Sequence, residues 1–296
     1  MYNSTNFINS FDLSQRNKPC ACSFCMSNED DDPWFTQRYK PFIEPLLTRN
    51  NSALRKEVYR WWQRLQFASH RANYTAVIEK LFKIFPDNPQ VMDAGPDRCR
   101  TCAVVGNSGN LLGSHYGKLI DIHDFVFRMN RGPTKGFEKD VGTKTSHRVI
   151  YPESAVDVDN STHLVLAPFK TLDLQWLISA FTTKDIKRTY RIVRTTIQAN
   201  KNKVMVLHPA FMKYIHDSWL RKHGRYPSTG FLTLVLALHI CDEVNVFGFG
   251  ADKNGNWYHY FEKVPKIRTS QHGRNFENET AVQLLTKKKI QIFRGW

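Results

Sequence analysis

The apolar positions of this chain change rhythm near Cys102. Upstream, between 52 and 68 (SALRKEVYRWWQRLQFA) and between 74 and 85 (YTAVIEKLFKIF), they predict helices. In the second segment Val77, Ile78, Leu81, Phe82 and Phe85 share one face, and Pro86 ends it. Downstream, short apolar runs alternate with longer helical stretches. The runs 102–105, 125–129, 148–151, 163–167, 204–207 and 244–247 predict strands, and 172–181, 209–222 and 230–240 predict helices between them. Alternation of this kind implies an α/β fold, a parallel sheet covered by helices on both faces. Ligands in such sheets sit beyond the carboxyl ends of the strands, which directs attention to the loops after Val105, Met129, Leu207 and Phe247. Residues 1–30 are rich in Asn, Ser and Asp and have no apolar period, so they predict a flexible stem ahead of one domain spanning 31–296.

Composition adds limits. With 41% hydrophobic residues in 296, the chain can build a sizeable core. The formal net charge of +15 attracts anions such as nucleotides, acidic sugars or nucleic acid. The basic residues are scattered rather than massed, which weighs against nucleic acid. No stretch approaches the ~20 apolar residues that cross a bilayer, and the first thirty lack a signal-peptide core, so the expectation is a soluble chain whose anchor, if any, lies upstream. Six cysteines, at 20, 22, 25, 99, 102 and 241, admit two readings. Their close spacing suits zinc; their even number suits disulfides in an oxidising compartment. Glycosylation sequons at Asn3, Asn50, Asn73, Asn160 and Asn278 favour the second.

Three segments could carry chemistry. Val105-Gly106-Asn107-Ser108-Gly109-Asn110 is a strand running into a glycine-rich turn, able to bring backbone N–H groups to a phosphate, or a tight turn and nothing more. It has neither G-x-G-x-x-G spacing nor a P-loop lysine. Gly224-Arg225-Tyr226-Pro227-Ser228-Thr229-Gly230 opens an apolar helix with a capping hydroxyl, and a helix start also attracts anions. A bridge from Cys102 to Cys241 would hold that helix beside the first strand and bring both loops to one site. Trp257-Tyr258-His259-Tyr260-Phe261-Glu262 and His272-x4-Glu277 offer imidazoles that can accept a proton or bind a phosphate near neutrality. Against these stands Asp157-Val158-Asp159, the short acidic pattern that holds a divalent ion on sugar nucleotides, repeated within Asp30-Asp31-Asp32; both read as solvated loop charges.

In this order the clusters resemble the motifs of the animal sialyltransferases. The segment 102–142 looks like that family's long donor motif, 208–250 its short motif, His259-Tyr260-Phe261-Glu262 the third, and His272-x4-Glu277 the very short one. Tyr59-Arg60-Trp61-Trp62-x-Arg64-Leu65-Gln66, Cys20-x-Cys22-x2-Cys25 and Gly255-Asn256-Trp257 resemble the beta-galactoside alpha-2,3-sialyltransferases of types I and II. Between His259 and His272 the chain is a few residues shorter than those relatives, and the acidic residue expected just after the histidine is lacking in Gln271-His272-Gly273.

The resemblance implies a single Rossmann-like domain of modified GT-A type. It implies an inverting, metal-independent enzyme with no cofactor. The donor would be CMP-sialic acid and the acceptor a terminal galactose, beta-1,3-linked to GalNAc in O-glycans and glycolipids. His272 would be the base and His259 the group on the leaving phosphate. Asn107, Ser108, Asn130, Ser228, Thr229, Gly230, Phe249 and Gly250 would hold the donor, and Gln66, Tyr151, Tyr190, Tyr226 and Trp257 the acceptor. It also implies disulfides Cys20–Cys25, Cys22–Cys99 and Cys102–Cys241, and a Golgi lumenal enzyme, anchored in full-length form or secreted. The rival classes are a nucleic-acid-binding module, which salt-sensitive binding would mark, and a catalytically silent glycan-binding protein on the same fold.

Overall fold

The computed structural model describes residues 20–22, 25–26, 32–67, 72–87, 98–252, 254–262 and 274–295. The strands are β1 (Thr101–Val105), β2 (Phe125–Met129), β3 (His147–Ile150), β4 (His163–Leu166), β5 (Val204–Val206), β6 (Glu243–Phe247) and β7 (Gln291–Phe293). They form one 7-stranded sheet in the order β5-β4-β3-β2-β1-β6-β7, parallel throughout. The helices are α1 (Pro33–Thr36), α2 (Lys56–Trp62), α3 (Tyr74–Ile84), α4 (Gly117–Asp121), α5 (Glu138–Val141), α6 (Thr171–Phe181), α7 (Pro209–Tyr214), α8 (Thr229–Ile240) and α9 (Arg274–Thr286). Among the described residues no helix is long and apolar enough to cross a membrane.

Strand direction follows from burial on both faces. In β1, Cys102 and Val104 enter the main core, whereas Ala103 and Val105 enter a smaller one with Ile120 of α4, Val141 of α5 and Tyr260. Near-continuous apolar runs are what a doubly covered parallel sheet requires. Helix α8 is apolar on all sides and almost wholly buried, packing on β1, β2, β3 and β6. The strand order reverses at β1, between β2 and β6, so the crevice beyond their carboxyl ends is where such a fold receives a ligand.

Three disulfides join Cys20 to Cys25, Cys22 to Cys99 and Cys102 to Cys241, the pairing expected from the resemblance, and they remove the zinc reading because no thiolate is left to ligate. The Cys102–Cys241 bridge joins the start of β1 to the end of α8, at the sheet edge remote from the glycine-rich loop. It does not itself bring the loops together. Length does: twelve helical residues span about 18 Å and five strand residues about 17 Å, so the start of α8 arrives level with the end of β1.

Two helices are shorter than their sequence patterns. Helix α2 covers Lys56–Trp62 rather than 52–68. After it, Arg64 and Leu65 donate back to Trp61 O and Trp62 O at 3.0 and 3.2 Å, a tighter turn, while Trp62 Nε1 donates to Pro168 O at 2.7 Å and pins the chain there. Helix α7 ends at Tyr214 and continues as one π turn, Ile215–Trp219, where the pattern predicted helix to 222. Arg221 and Lys222 take φ of 47 and 64°, which ends it. Helix α9 starts within a stretch whose polar surface hides its period, and β7 is only three residues long, too short to show one.

Candidate active site

The loops at the carboxyl ends of β1, β2 and β6, where the resemblance puts the donor, are held by backbone. Gly106 N donates to Phe247 O at 2.7 Å and Ser108 N to Gly248 O at 3.1 Å, which laces the β1 loop to the β6 loop. A Cβ at Gly106 would lie 2.3 Å from Gly248 O, so only glycine permits this approach. On its other side the β1 loop pairs with the segment carrying His259: Gly109 N donates to Tyr258 O at 2.8 Å, and Tyr260 N to Asn107 O at 2.9 Å. Asn107 Nδ2 donates to Met129 O at 3.2 Å. Asn130 follows Met129 in the left-handed conformation, φ 54°, and its Oδ1 accepts from Ser154 Oγ at 2.8 Å. Asn110 is almost fully buried and donates from Nδ2 to Phe249 O at 2.9 Å. Gly250 has φ of 94° with open space at its Cβ position, as a turn facing a ligand would need.

His259 is held by Glu262. Its Nδ1 lies 3.1 Å from Glu262 Oε1, its backbone N donates to Glu262 Oε2 at 3.2 Å, and its ring stacks on Phe261. An imidazole fixed through Nδ1 presents Nε2 on its opposite edge, as acceptor when neutral and donor when doubly protonated.

The start of α8 meets these loops from the side. Ser228 caps it, Oγ accepting from Phe231 N at 3.1 Å, while its own N and Oγ donate to Glu277 at 2.7 and 2.6 Å. Glu277, of the His272-x4-Glu277 pattern, thus binds the first residue of this helix start from α9. A Cβ at Gly230 would lie 3.5 Å from the Phe249 ring and 3.6 Å from Met129 Sδ, so the first turn of α8 faces the β2 and β6 ends directly. Thr229 is buried beside it.

The group that the resemblance gives to the acceptor is built on side chains. Lys170 and Asp173 form an ion pair at 2.8 Å with both side chains fully buried. Lys170 Nζ also donates to Gln66 Oε1 at 2.7 Å and lies 5.2 Å from the Tyr190 ring centre. Phe169 N donates to Asp173 Oδ2 at 2.7 Å, and the Phe169 ring packs on Tyr226 at 4.9 Å and Tyr151 at 6.1 Å. Burial, only partly offset by Lys170, pushes the Asp173 carboxyl up to about 6. Burial and the Glu153 carboxylate push the Tyr190 phenol to about 12. Glu153 accepts from Thr189 Oγ1 through one oxygen, and its Oε2 is buried with no hydrogen-bond partner among the described residues. Glu153 and Ser154 belong to the turn after β3, so one short segment touches both Asn130 and the acceptor group.

The rival acidic pair is engaged elsewhere. Asp157 pairs with Arg194 at 2.7 Å and accepts from Gln198 N, and Asp159 closes a turn on Ser161 and Thr162. Both carboxyls are held below their ordinary value, Asp157 by the Gln198 N–H and Arg194 against the opposing effect of burial, and Asp159 chiefly by the Ser161 hydroxyl. The copy at 30–32 has residues 30 and 31 outside the described residues; Asp32 caps α1 and pairs with Lys287 at 2.5 Å.

Comparison with known proteins decides the family. The family described as glycosyltransferase family 29 (sialyltransferase) matches residues 46–289. The chain belongs to the family 29 sialyltransferases. The human protein named CMP-N-acetylneuraminate-beta-galactosamide-alpha-2,3-sialyltransferase 1 is 46% identical over 285 residues, 95% of this chain and 84% of that protein. Mouse sialyltransferase 2 of the same naming series is 49% identical, over 93% and 80%. The crystal structure of a mammalian sialyltransferase superimposes with a TM-score of 0.90 at 46% identity, covering 94% of this chain and 99% of the other. A second structure, in complex with Gal-beta-1-3GalNAc-ortho-nitrophenol, gives 0.89 over 94% and 100%.

The structure thus brings Asn107, Ser108, Asn130, Ser228, Gly230, Phe249, Gly250 and His259 to one crevice and Gln66, Tyr151, Tyr190 and Tyr226 to a group beside it. Trp257 sits on the His259 segment, half-exposed, next to the β1 loop. His272 lies outside the described residues. Sequence reasoning missed Lys170, Asp173 and Glu153. A lysine three residues before an aspartate is the single signal for the first two, and it is common on exposed helices, so only burial gives it meaning.

Proposed function

We propose that this sialyltransferase moves sialic acid from CMP-sialic acid to the 3-hydroxyl of a terminal galactose, with Gal-beta-1,3-GalNAc of O-glycans and glycolipids as the preferred acceptor. The observation that carries the reading is the union of two unlike surfaces at the β1–β2–β6 edge. A backbone cradle with an imidazole stands beside a group of aromatic and amide side chains. The first suits a phosphate; the second suits a sugar, which offers C–H faces and hydroxyls. The complex of the similar mammalian structure with Gal-beta-1-3GalNAc-ortho-nitrophenol supports the acceptor.

In this reading the galactose oxygen attacks the anomeric carbon as the bond to the CMP phosphate breaks, and the configuration inverts. The transition state has oxocarbenium character, with charge growing on the departing phosphate. His259, oriented by Glu262, hydrogen-bonds that phosphate. His272 takes the hydroxyl proton. Asn107 and Asn130 bind the donor near its phosphate, and Gly230 and Gly250 let the backbone approach the nucleotide. A cytidine monophosphate leaves with no divalent ion and no cofactor. Residues 1–30 serve as a stem, and the enzyme works in the Golgi lumen, tethered by an upstream anchor or released.

The test is transfer from CMP-sialic acid to a panel of galactosides with linkage read by NMR. Alpha-2,3 product on Gal-beta-1,3-GalNAc is expected; better turnover of N-acetyllactosamine, or a 2,6 product, overturns the acceptor assignment. No transfer with any galactoside favours a silent glycan-binding protein.

A further inference from the structure

We propose that a cleft of about 380 Å3 lined by Glu57, Arg60, Trp61, Arg64, Leu65 and Arg225 is a second acceptor subsite, which takes an acidic polypeptide segment flanking the glycan. The inference rests on the sialyltransferase reading and extends it from the galactose to what carries the galactose.

The lining has three guanidinium groups against one carboxylate. Glu57 already faces Arg55 at 3.7 Å in a solvated pair. Among the described residues no ion pair engages Arg60 or Arg64. Arg225 Nη2 donates to Arg64 O at 2.9 Å, which holds that guanidinium against the α2 side. Arginine forks match carboxylates in pairs of parallel hydrogen bonds.

Between the cations stands an apolar wall, Trp61 and Leu65. The indole is fixed from behind: His216 packs on it at 5.4 Å and the Lys213 ammonium lies 5.9 Å from its centre. His216 is on the π turn, and its Nε2 lies 3.2 Å from Gly224 O, beside Arg225. The widened turn that ended α7 early therefore braces both walls of the cleft; such turns often mark functional ground.

Position ties the cleft to the acceptor. Arg64 and Leu65 immediately precede Gln66, whose amide oxygen Lys170 holds, and Arg225 immediately precedes Tyr226, which packs on Phe169. Both walls continue into the sugar site through the next residue of the chain. Several cations spaced round an apolar wall, in a cleft open at the surface, suit an extended chain with more than one carboxylate and ordinary side chains between them. A single sulfate would use only part of it.

The experiment compares acceptor KM for three substrates: the free disaccharide, the disaccharide on a neutral peptide, and the same peptide with Asp and Glu beside the glycosylated residue. The acidic glycopeptide is expected to show a KM about three- to tenfold lower than the neutral one, the size of one or two partly solvated charge-assisted contacts. Arg60→Ala with Arg64→Ala should abolish the difference, Arg64→Lys should keep part of it, and raised salt should erode it. Turnover of the free disaccharide and the donor KM should stay unchanged, which also shows the variants are folded. Equal KM for the two glycopeptides overturns the proposal, as does a preference that survives loss of both arginines. An equal gain from a sulfate on the disaccharide, or from anionic vesicles carrying it, replaces the peptide with that occupant and also overturns it. Absence of any disaccharide transfer instead sinks the underlying function.

Discussion

The two ends of the crevice are made of different material. At the proposed donor end the loops are laced together main chain to main chain: Gly106 to Phe247, Ser108 to Gly248, Tyr260 to Asn107. At the acceptor end the contacts are side-chain: Lys170 to Gln66, Lys170 to Asp173, Phe169 against Tyr226 and Tyr151. A backbone cradle suits what every nucleotide donor shares, a phosphate, and tolerates few substitutions where, as at Gly106, a Cβ would meet main chain. A side-chain group can be re-cut residue by residue, which suits the half that must tell one galactoside from another. If this contrast is right, damage to the two ends should appear in different kinetic constants.

The largest effect should come from the proposed proton acceptor. His272→Ala is expected to lower kcat by about 10²–10⁴, the usual worth of a positioned base, with CMP binding nearly intact. His259→Ala should reduce kcat and CMP affinity together, since its proposed partner is the phosphate. Both are read by steady-state rates and CMP titration on variants shown to be folded. If His272→Ala keeps more than about a tenth of turnover, the loss is below general-base scale and the assignment fails.

Next is the buried ion pair. Lys170→Met leaves Asp173 without its cation in a fully buried position, which should cost about 3–5 kcal/mol of stability. In the fraction that folds, acceptor KM should rise and donor KM should not, because Gln66 and Tyr190 lose their anchor. Lys170→Met with Asp173→Leu should recover much of the stability but not the acceptor affinity. A donor KM that rises equally in both variants would erase the division between the ends. Asp173 should also leave a pH signature. Its folded value of about 6 lies above its ordinary 3.8, so the folded state holds the extra proton between them. That contribution is full below the unfolded value and is lost as pH rises through about 6, at up to about 1.4 kcal/mol per pH unit. Chemical denaturation from pH 4 to 7 should show this slope in the unaltered protein relative to Asp173→Asn; parallel curves would mean that Asp173 does not titrate there.

The same contrast explains what could be read in advance. The donor end lies in contiguous segments, Gly106–Asn110, Ser228–Gly230 and Phe249–Gly250, because a backbone cradle needs particular turns at consecutive positions. The six strands behind it were readable for a related reason: burial on both faces leaves unbroken apolar runs. The acceptor end draws on 66, 151, 170, 190 and 226, which tertiary contact alone unites. Resemblance supplied Gln66 and the tyrosines, but Lys170 and Asp173 carry no local mark of burial. The contact of Glu277 with Ser228 was not readable, because the polar outside of α9 concealed a helix and with it the direction of that carboxylate. The π turn after Tyr214 had no signal, since one added residue per turn leaves composition unchanged.

A smaller effect tests the donor end by sterics. A Cβ at Gly132 would lie 2.3 Å from Asn107 Oδ1, a side-chain atom that can move, at a position where the backbone needs no positive φ. Gly132→Ala should therefore displace Asn107 rather than unfold the loop. About 1 kcal/mol of misplacement corresponds to roughly a fivefold rise in donor KM. Acceptor KM should hold, and Asn107→Ala should remove any further effect of Gly132→Ala. A change confined to acceptor KM would assign Asn107 to the wrong end.

The smallest expected effect is none at all. If the donor phosphate is met by backbone N–H groups and His259, chelation should change turnover by less than about twofold, well under the 10²-fold scale on which a catalytic group registers. The acidic pair that could contradict this is otherwise employed: Asp157 is tied to Arg194 and the Gln198 N–H, and Asp159 holds a turn through Ser161 and Thr162. To receive a divalent ion each would have to release contacts that hold its carboxyl ionised and in place. Asp159→Ala should accordingly lower stability by about 1 kcal/mol, as loss of a capping carboxylate does, without changing donor KM. A tenfold loss of activity in EDTA, restored by manganese and absent in Asp157→Asn, would turn the pair into ligands. It would also end the contrast between the two ends, because the donor would then be held, like the acceptor, by side chains and charge.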